Sequence, residues 1–130
     1  MKSMLPATIL VVDDNRGILS AAELLLRAHF RRVVTTHNPE RIRALIRDES
    51  PDVVLLDMNF HAGINSGNEG LFWLAEIRKL RPAPAVVLFT AYADIDLAVR
   101  GIKEGAADFI VAADNGVKFA VAGALGQVER

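Results

Sequence analysis

The chain has 130 residues, 52% of them hydrophobic, with 15 basic against 16 acidic side chains and no cysteine. That length suits one domain with one core, and so apolar a composition excludes a disordered chain. A net charge of −1 gives no electrostatic footprint for nucleic acid or anionic lipid, and the absence of cysteine excludes a disulfide scaffold, thiolate catalysis and Cys-ligated metal. The apolar residues come in short runs, none near the length that spans a bilayer. The start, "MKSMLPATILVV", lacks the basic region and cleavage site of a signal peptide, so a cytoplasmic protein is expected.

In chain order, "ATILVVDD" (7–14) reads as a buried strand closed by two aspartates. "NRGILSAAELLLRAHF" follows with Ile18, Ala22, Leu25 and Leu26 at helical spacing and Asp14 or Asn15 available as the cap. "RRVVTT" (31–36) is a weaker strand. The next helix has Asn38 as cap, Pro39 at its first position and Pro51 as its stop. "DVVLLD" (52–57) is the strongest strand signal. A polar, glycine-rich loop comes next, with Ser66 and Glu69 spaced as a capping box. Gly63, Gly67 and Gly70 form no phosphate-cradling motif and read as turn chemistry.

"LFWLAEIRKL" brings Trp73, Leu74, Ile77 and Leu80 to one helical face, and "AVVLFT" (85–90) is a buried strand. A helix with Ile95, Ala98, Val99 and Ile102 inward follows, then a strand at 107–111. A last helix, "VKFAVAGALGQV", is weakened by Gly123 and Gly126. Five strand-then-helix units with no polar alternation in the strands imply an α/β domain over 1–130, with a parallel sheet between two layers of helices.

Open sheets of this kind bind ligands beyond the carboxyl ends of their strands. Asp13 and Asp14 close the first strand, Asp57 the third and Thr90 the fourth. Any one Asp at a strand end is ordinary turn or cap chemistry. A doublet at one end with a third at another is a stronger pattern, because converging carboxylates repel and call for a cation. Oxygen ligands without His or Cys suit Mg²⁺. Beside such an ion, an unhindered carboxylate can attack a phosphoryl group. His29, His37 and His61 have no metal-ligand spacing and read as surface residues, with His61 placed to border the site.

The pieces "ILVVDDN" (9–15), "PDVVLLDMN" (51–59), "VVLFTAYAD" (86–94) and "GAADFIV" (105–111) stand in the order of the receiver domain of bacterial two-component response regulators, which the chain resembles over nearly its whole length. "DMNFHAGINSGNEGLFWL" and "TAYADIDLAVRGIKEGAADFI" look most like receivers attached to AAA+ enhancer-binding transcription activators. The resemblance implies a flavodoxin-like (βα)5 fold with strand order 2-1-3-4-5. It implies Asp57 as phosphoacceptor, supplied by a sensor histidine kinase or a small phosphodonor. Asp14 would ligate Mg²⁺ directly, Asp13 through water, and the backbone carbonyl of Asn59 would be a further ligand. Thr90 would be the switch hydroxyl and Phe109 the switch aromatic, with a plain core role for Phe109 equally open. Phosphorylation would control receiver dimerisation. No DNA-binding or ATPase module is expected within these 130 residues, so transcriptional output would belong to a longer parent.

One motif departs from the pattern. Receivers usually continue the fifth strand into Lys-Pro, and this chain has Ala112 and Ala113 there. A methyl group cannot pair with a phosphoryl oxygen, and the lost charge-assisted contact is worth about 1.5–3 kcal/mol. A degenerate receiver, a variant with those residues replaced, and rescue by Lys118 are the three explanations. Mg²⁺ binding is expected to survive, because the acidic residues are all present. The functions in competition are a phosphorylation switch, a binding-only pseudo-receiver and an Asp-nucleophile Mg²⁺ phosphohydrolase. The last lacks its usual "DxD" after strand one. Flavin binding would need a different first loop from "DDNRG".

Overall fold

Valine- and leucine-rich runs pair into five strands in the computed structural model of the chain, which describes residues 5–58, 68–91 and 95–112. They are β1 (Leu5–Val12), β2 (Phe30–Thr36), β3 (Val53–Asp57), β4 (Ala85–Ala91) and β5 (Asp108–Ala112). Every neighbouring pair is parallel, in the order β2-β1-β3-β4-β5, as expected. Between them run α1 (Arg16–Leu26), a 3-10 turn (Pro39–Arg41) leading into α2 (Ile42–Glu49), α3 (Asn68–Arg78) and α4 (Ile95–Lys103). The fifth helix expected after Ala113 lies outside the described residues, as do Ser66 of the expected capping box, Gly63 and Gly67.

Side chains alternate across each strand and so build two cores. Leu10, Val12, Val54, Leu56, Val86 and Leu88 pack with Ile42 and Ile46 of α2 and Leu71, Trp73, Leu74 and Ile77 of α3. Ile9, Val11, Val53, Leu55, Val87 and Phe89 pack on the other face against Leu19, Ala22 and Leu26 of α1. β3 is central, and its first four residues are no more than 4% exposed, which is why the run carries no polar alternation. Each such side chain contributes about 1.5–3 kcal/mol of burial.

The helix ends follow their capping chemistry. Asn15 Oδ1 accepts from the Ile18 N–H at 3.1 Å, and Asn38 Oδ1 from the Glu40 N–H at 3.0 Å. Asn38 caps the 3-10 turn rather than an α-helix, which begins only at Ile42. Ser50, at φ +49°, ends α2 in the left-handed region just before Pro51. Gly105, at φ +112°, follows α4, and the Arg78 side chain occupies the space a Cβ would take there.

Three helix readings are corrected. In α1 the buried face is Leu19, Ala22 and Leu26, while Leu25 is 39% exposed. In α4, Ala98 and Gly101 face the sheet, and Val99 and Ile102 are exposed. Hydrophobicity favoured the larger side chains, but α4 lies close to the sheet along its small residues: a Cβ on Gly101 would run into the Leu88 side chain. Gly70 is no turn residue. It lies within α3, and a Cβ there would sit 2.7 Å from Met58 Cα and 2.8 Å from the Met58 carbonyl oxygen. Helix α3 therefore crosses the chain one residue beyond Asp57 at a distance only glycine permits.

Candidate functional site

The strand register carries the acidic residues to one edge. Val12 of β1 pairs with Leu56 of β3, so Asp13 and Asp57 each stand one step further on, side by side. The backbone holds both in place. The Asp13 N–H donates to the Thr36 carbonyl at 3.2 Å, and the Met58 N–H to the Phe89 carbonyl at 3.0 Å. Asp13 Oδ1 in turn accepts from the Asn15 N–H at 2.9 Å, which turns the chain into the N-terminus of α1.

Asp13, Asp14 and Asp57 each offer a carboxylate oxygen within 4.8 Å of the other two. Their surroundings differ. Asp13 is buried at 4% exposure, Asp57 is half-buried and Asp14 is exposed. Below the cluster the wall is apolar, with Ile18, Leu55 and Phe89 lining a void of about 10 Å³ that reaches Asp13 and Asp57. Burial pushes the Asp13 carboxyl up from 3.8 to about 6, and the Asp14 charge adds to the rise. The Asn15 N–H and a hydrogen bond with the Asp57 side chain act the other way. Crowded carboxylates of this kind need a proton or a cation between them. An all-oxygen donor set with no His or Cys among the clustered residues fits a hard divalent ion such as Mg²⁺.

The other predicted residues are placed as follows. Thr90 is the next-to-last residue of β4, level with Val111 of β5, and Ala112 pairs with Ala91 one step further on. Both positions reach the edge where Asp57 ends β3. Phe109, level with Leu88, is half-buried against the core shared with α2 and α3, and its N–H donates to Asp108 Oδ1 at 2.8 Å. Asn59, His61, Ala113 and Lys118 lie outside the described residues. Trp73 is 6% exposed and belongs to the core, as its spacing indicated. His37 Nε2 accepts from the Arg16 guanidinium at 3.2 Å, so its surface reading stands with a partner added.

Two positioning residues escape sequence reading. Thr36 is buried at 5%, and its carbonyl anchors Asp13 from the neighbouring strand. Gly70 seats α3 behind Met58. A lone Gly inside a helical pattern was the available signal for Gly70. Nothing local marks Thr36, because its role comes from the β1–β2 pairing.

The class that fold and site define is an open parallel α/β domain with an acidic cluster at the carboxyl edge of its sheet, where such sheets bind ligands. Within that class, residues 9–113 match the response regulator receiver domain, and the chain belongs to that family. It is similar to the N-terminal signal receiver domain of a two-component response regulator from Bacteroides fragilis, at 49% identity and a TM-score of 0.81 over 97% of this chain and 98% of that one. NtrX from Brucella abortus is 29% identical with a TM-score of 0.76, over 96% of this chain and 28% of that protein. The transcriptional regulatory protein ZraR of Klebsiella oxytoca is 32% identical over 103 residues, 79% of this chain. The chain spans about a fifth, 22%, of that relative. Receiver domains act in two-component signalling with sensor histidine kinases and bind Mg²⁺ at an acidic pocket, and they are in general signalling modules rather than enzymes. Among the described residues no helix is long and apolar enough to cross a membrane.

Proposed function

We propose that this receiver is a phosphorylation-dependent switch whose phosphoacceptor is Asp57. The observation that carries the reading is the meeting of Asp57 with Asp13 and Asp14 at one strand edge, their oxygens within 4.8 Å. The phosphoryl group would come from the phosphohistidine of a sensor histidine kinase. An Asp57 carboxylate oxygen forms the new bond to phosphorus as the bond to the donor nitrogen breaks, and the displaced imidazole leaves with its electron pair. Asp13, Asp14, Asp57 and the Asn59 backbone carbonyl would hold Mg²⁺, which when bound neutralises charge on the phosphoryl oxygens.

Each residue of the chain has a distinct part in this reading. Asp57 ends a buried strand, which fixes its backbone, and its side chain is half-buried at the carboxyl edge of the sheet. Asp13, anchored by Thr36 and Asn15, holds negative charge beneath it. Thr90 would supply a hydroxyl to the phosphoryl oxygen, and Phe109 would respond from β5. The relatives named as transcription regulators suggest that a longer parent takes this signal to gene expression in the cytoplasm, with receiver dimerisation as the relay.

A second reading rests on Ala112. By the resemblance, Ala112 stands where receivers usually carry a lysine, which favours a pseudo-receiver that binds partners without ordinary phosphotransfer. Incubation with Mg²⁺ and acetyl phosphate, followed by intact-mass measurement, decides between them. A phosphoryl adduct that disappears in Asp57→Asn supports the switch. An unmodified wild-type chain with normal folding would establish the pseudo-receiver.

A further inference from the structure

The sheet has a second feature at its opposite, amino-terminal edge. A groove of about 800 Å³ lies between the end of α2, the turn into β3 and the loop from α3 to β4. Asp52 and Pro84 border it at the starts of β3 and β4. Asp57 stands five residues along β3 from Asp52, so the two sites are about 17 Å apart at strand rise.

The lining is apolar at the floor and cationic at the rim. Ile46 is buried and Leu80 half-buried, while the guanidinium-bearing Arg43, Arg47 and Arg81 are exposed. Pro51, Pro82 and Pro84 have no N–H to give, so much of the surrounding backbone cannot bind an anion or extend as a strand. Asp52 is the one acid of the lining, and its Oδ2 is taken by the Thr8 N–H at 2.9 Å.

The arginines keep donors to spare. Arg43 uses one terminal nitrogen on Glu76, Arg47 its Nε on Asp48 at 3.0 Å, and Arg81 one terminal nitrogen on the carbonyls of Arg78 and Leu80. A guanidinium offers five N–H donors. The Arg47–Asp48 pair is 75% and 59% exposed, a setting in which ion pairs exchange readily for another carboxylate.

We propose that this groove is a docking site for a short acidic peptide segment that also carries apolar side chains. Charge complementarity selects carboxylates for the three arginines, and the Ile46–Leu80 floor selects apolar groups between them. All three arginines line the one groove, so an extended segment lying in it runs past them. A small anion in so open a groove would bury little of its own surface.

The chain carries its own reporter. Arg43 lies 5.2 Å over the ring of Trp73, the single tryptophan of the sequence. The experiment is isothermal titration of the whole chain with an acetylated, amidated peptide Glu-Leu-Glu-Phe-Glu-Leu, with Trp73 fluorescence followed in parallel. Controls are the same peptide with Gln for Glu, and octanoate. Saturable binding with a Trp73 response is expected, weakened about tenfold or more by the Gln peptide and by the double variant Arg47→Glu/Arg81→Glu. Arg47→Glu alone, at an exposed site, gives the same direction if the double variant melts early. Absence of saturable heat up to about 1 mM peptide would overturn the proposal, as would heat without a Trp73 response or equal affinity for the Gln peptide. Octanoate binding as tightly as the acidic peptide would overturn the peptide occupant. Labelling of Asp57 by acetyl phosphate is a separate measurement, so either reading can fail alone.

Discussion

Lowering the pH through about 6 will both stabilise the metal-free protein and weaken its hold on Mg²⁺, and Asp13 is the reason. Its carboxyl is 4% exposed and stands at about 6, against 3.8 for the ordinary group. A folded-state value above the unfolded one means that the fold favours the protonated form. That contribution is complete below pH 3.8 and is lost as pH rises through about 6. The difference between the two values corresponds to at most about 3 kcal/mol. Mg²⁺ needs the ionised form, so its apparent affinity falls about tenfold for each pH step below about 6 and levels off above it. Thermal melting near pH 5 and about pH 7.5, with and without Mg²⁺, measures both effects. The gain in Tm on adding Mg²⁺ is expected to be large at the higher pH and small at the lower. Asp13→Asn keeps an acceptor for the Asn15 N–H and should remove the pH dependence together with most of the metal effect. An equal Mg²⁺-induced shift at both pH values, or an unchanged pH dependence in Asp13→Asn, would refute the assignment.

Gly70→Ala places a methyl against the Met58 backbone, which has no side-chain freedom to yield, and should cost about 1–3 kcal/mol in chemical denaturation. Trp73→Ala empties a core position at 6% exposure and should cost about 3–5 kcal/mol, measured by the same denaturation followed by circular dichroism. Ala112→Lys returns a cation to the edge beside β4. Faster phosphoryl labelling by acetyl phosphate is expected, since a charge-assisted contact of about 1.5–3 kcal/mol corresponds to roughly 10–150-fold. Isothermal titration should show weaker Mg²⁺ binding by that variant, because the added charge opposes the ion.

The strands and the acidic residues were already legible along the chain. Runs such as Val53–Leu56 carry no polar residue, so they had to lie inside a sheet covered on both faces, and that observation alone led to parallel pairing and to ligands at the carboxyl edge. Capping was legible in part, because a cap is a contact between residues two or three apart: Asn15 is the one of the two offered candidates that caps α1, and Asn38 caps the 3-10 turn ahead of α2. Tertiary structure decided everything that depends on how closely two distant segments approach. Leu25, Val99 and Ile102 are exposed although periodicity favoured burying them, because small residues such as Ala22, Ala98 and Gly101 let the helices sit low on the sheet. Gly70 looked like punctuation and is instead the point where α3 meets the backbone after Asp57. The difference between Asp13 and Asp14 has the same origin. They are adjacent in sequence and alike in chemistry, yet pairing with β2 and β3 draws one into an apolar wall and leaves the other in water. Only that placement, made by residues more than twenty positions away, turns one of two equal carboxyls into the group that titrates near 6.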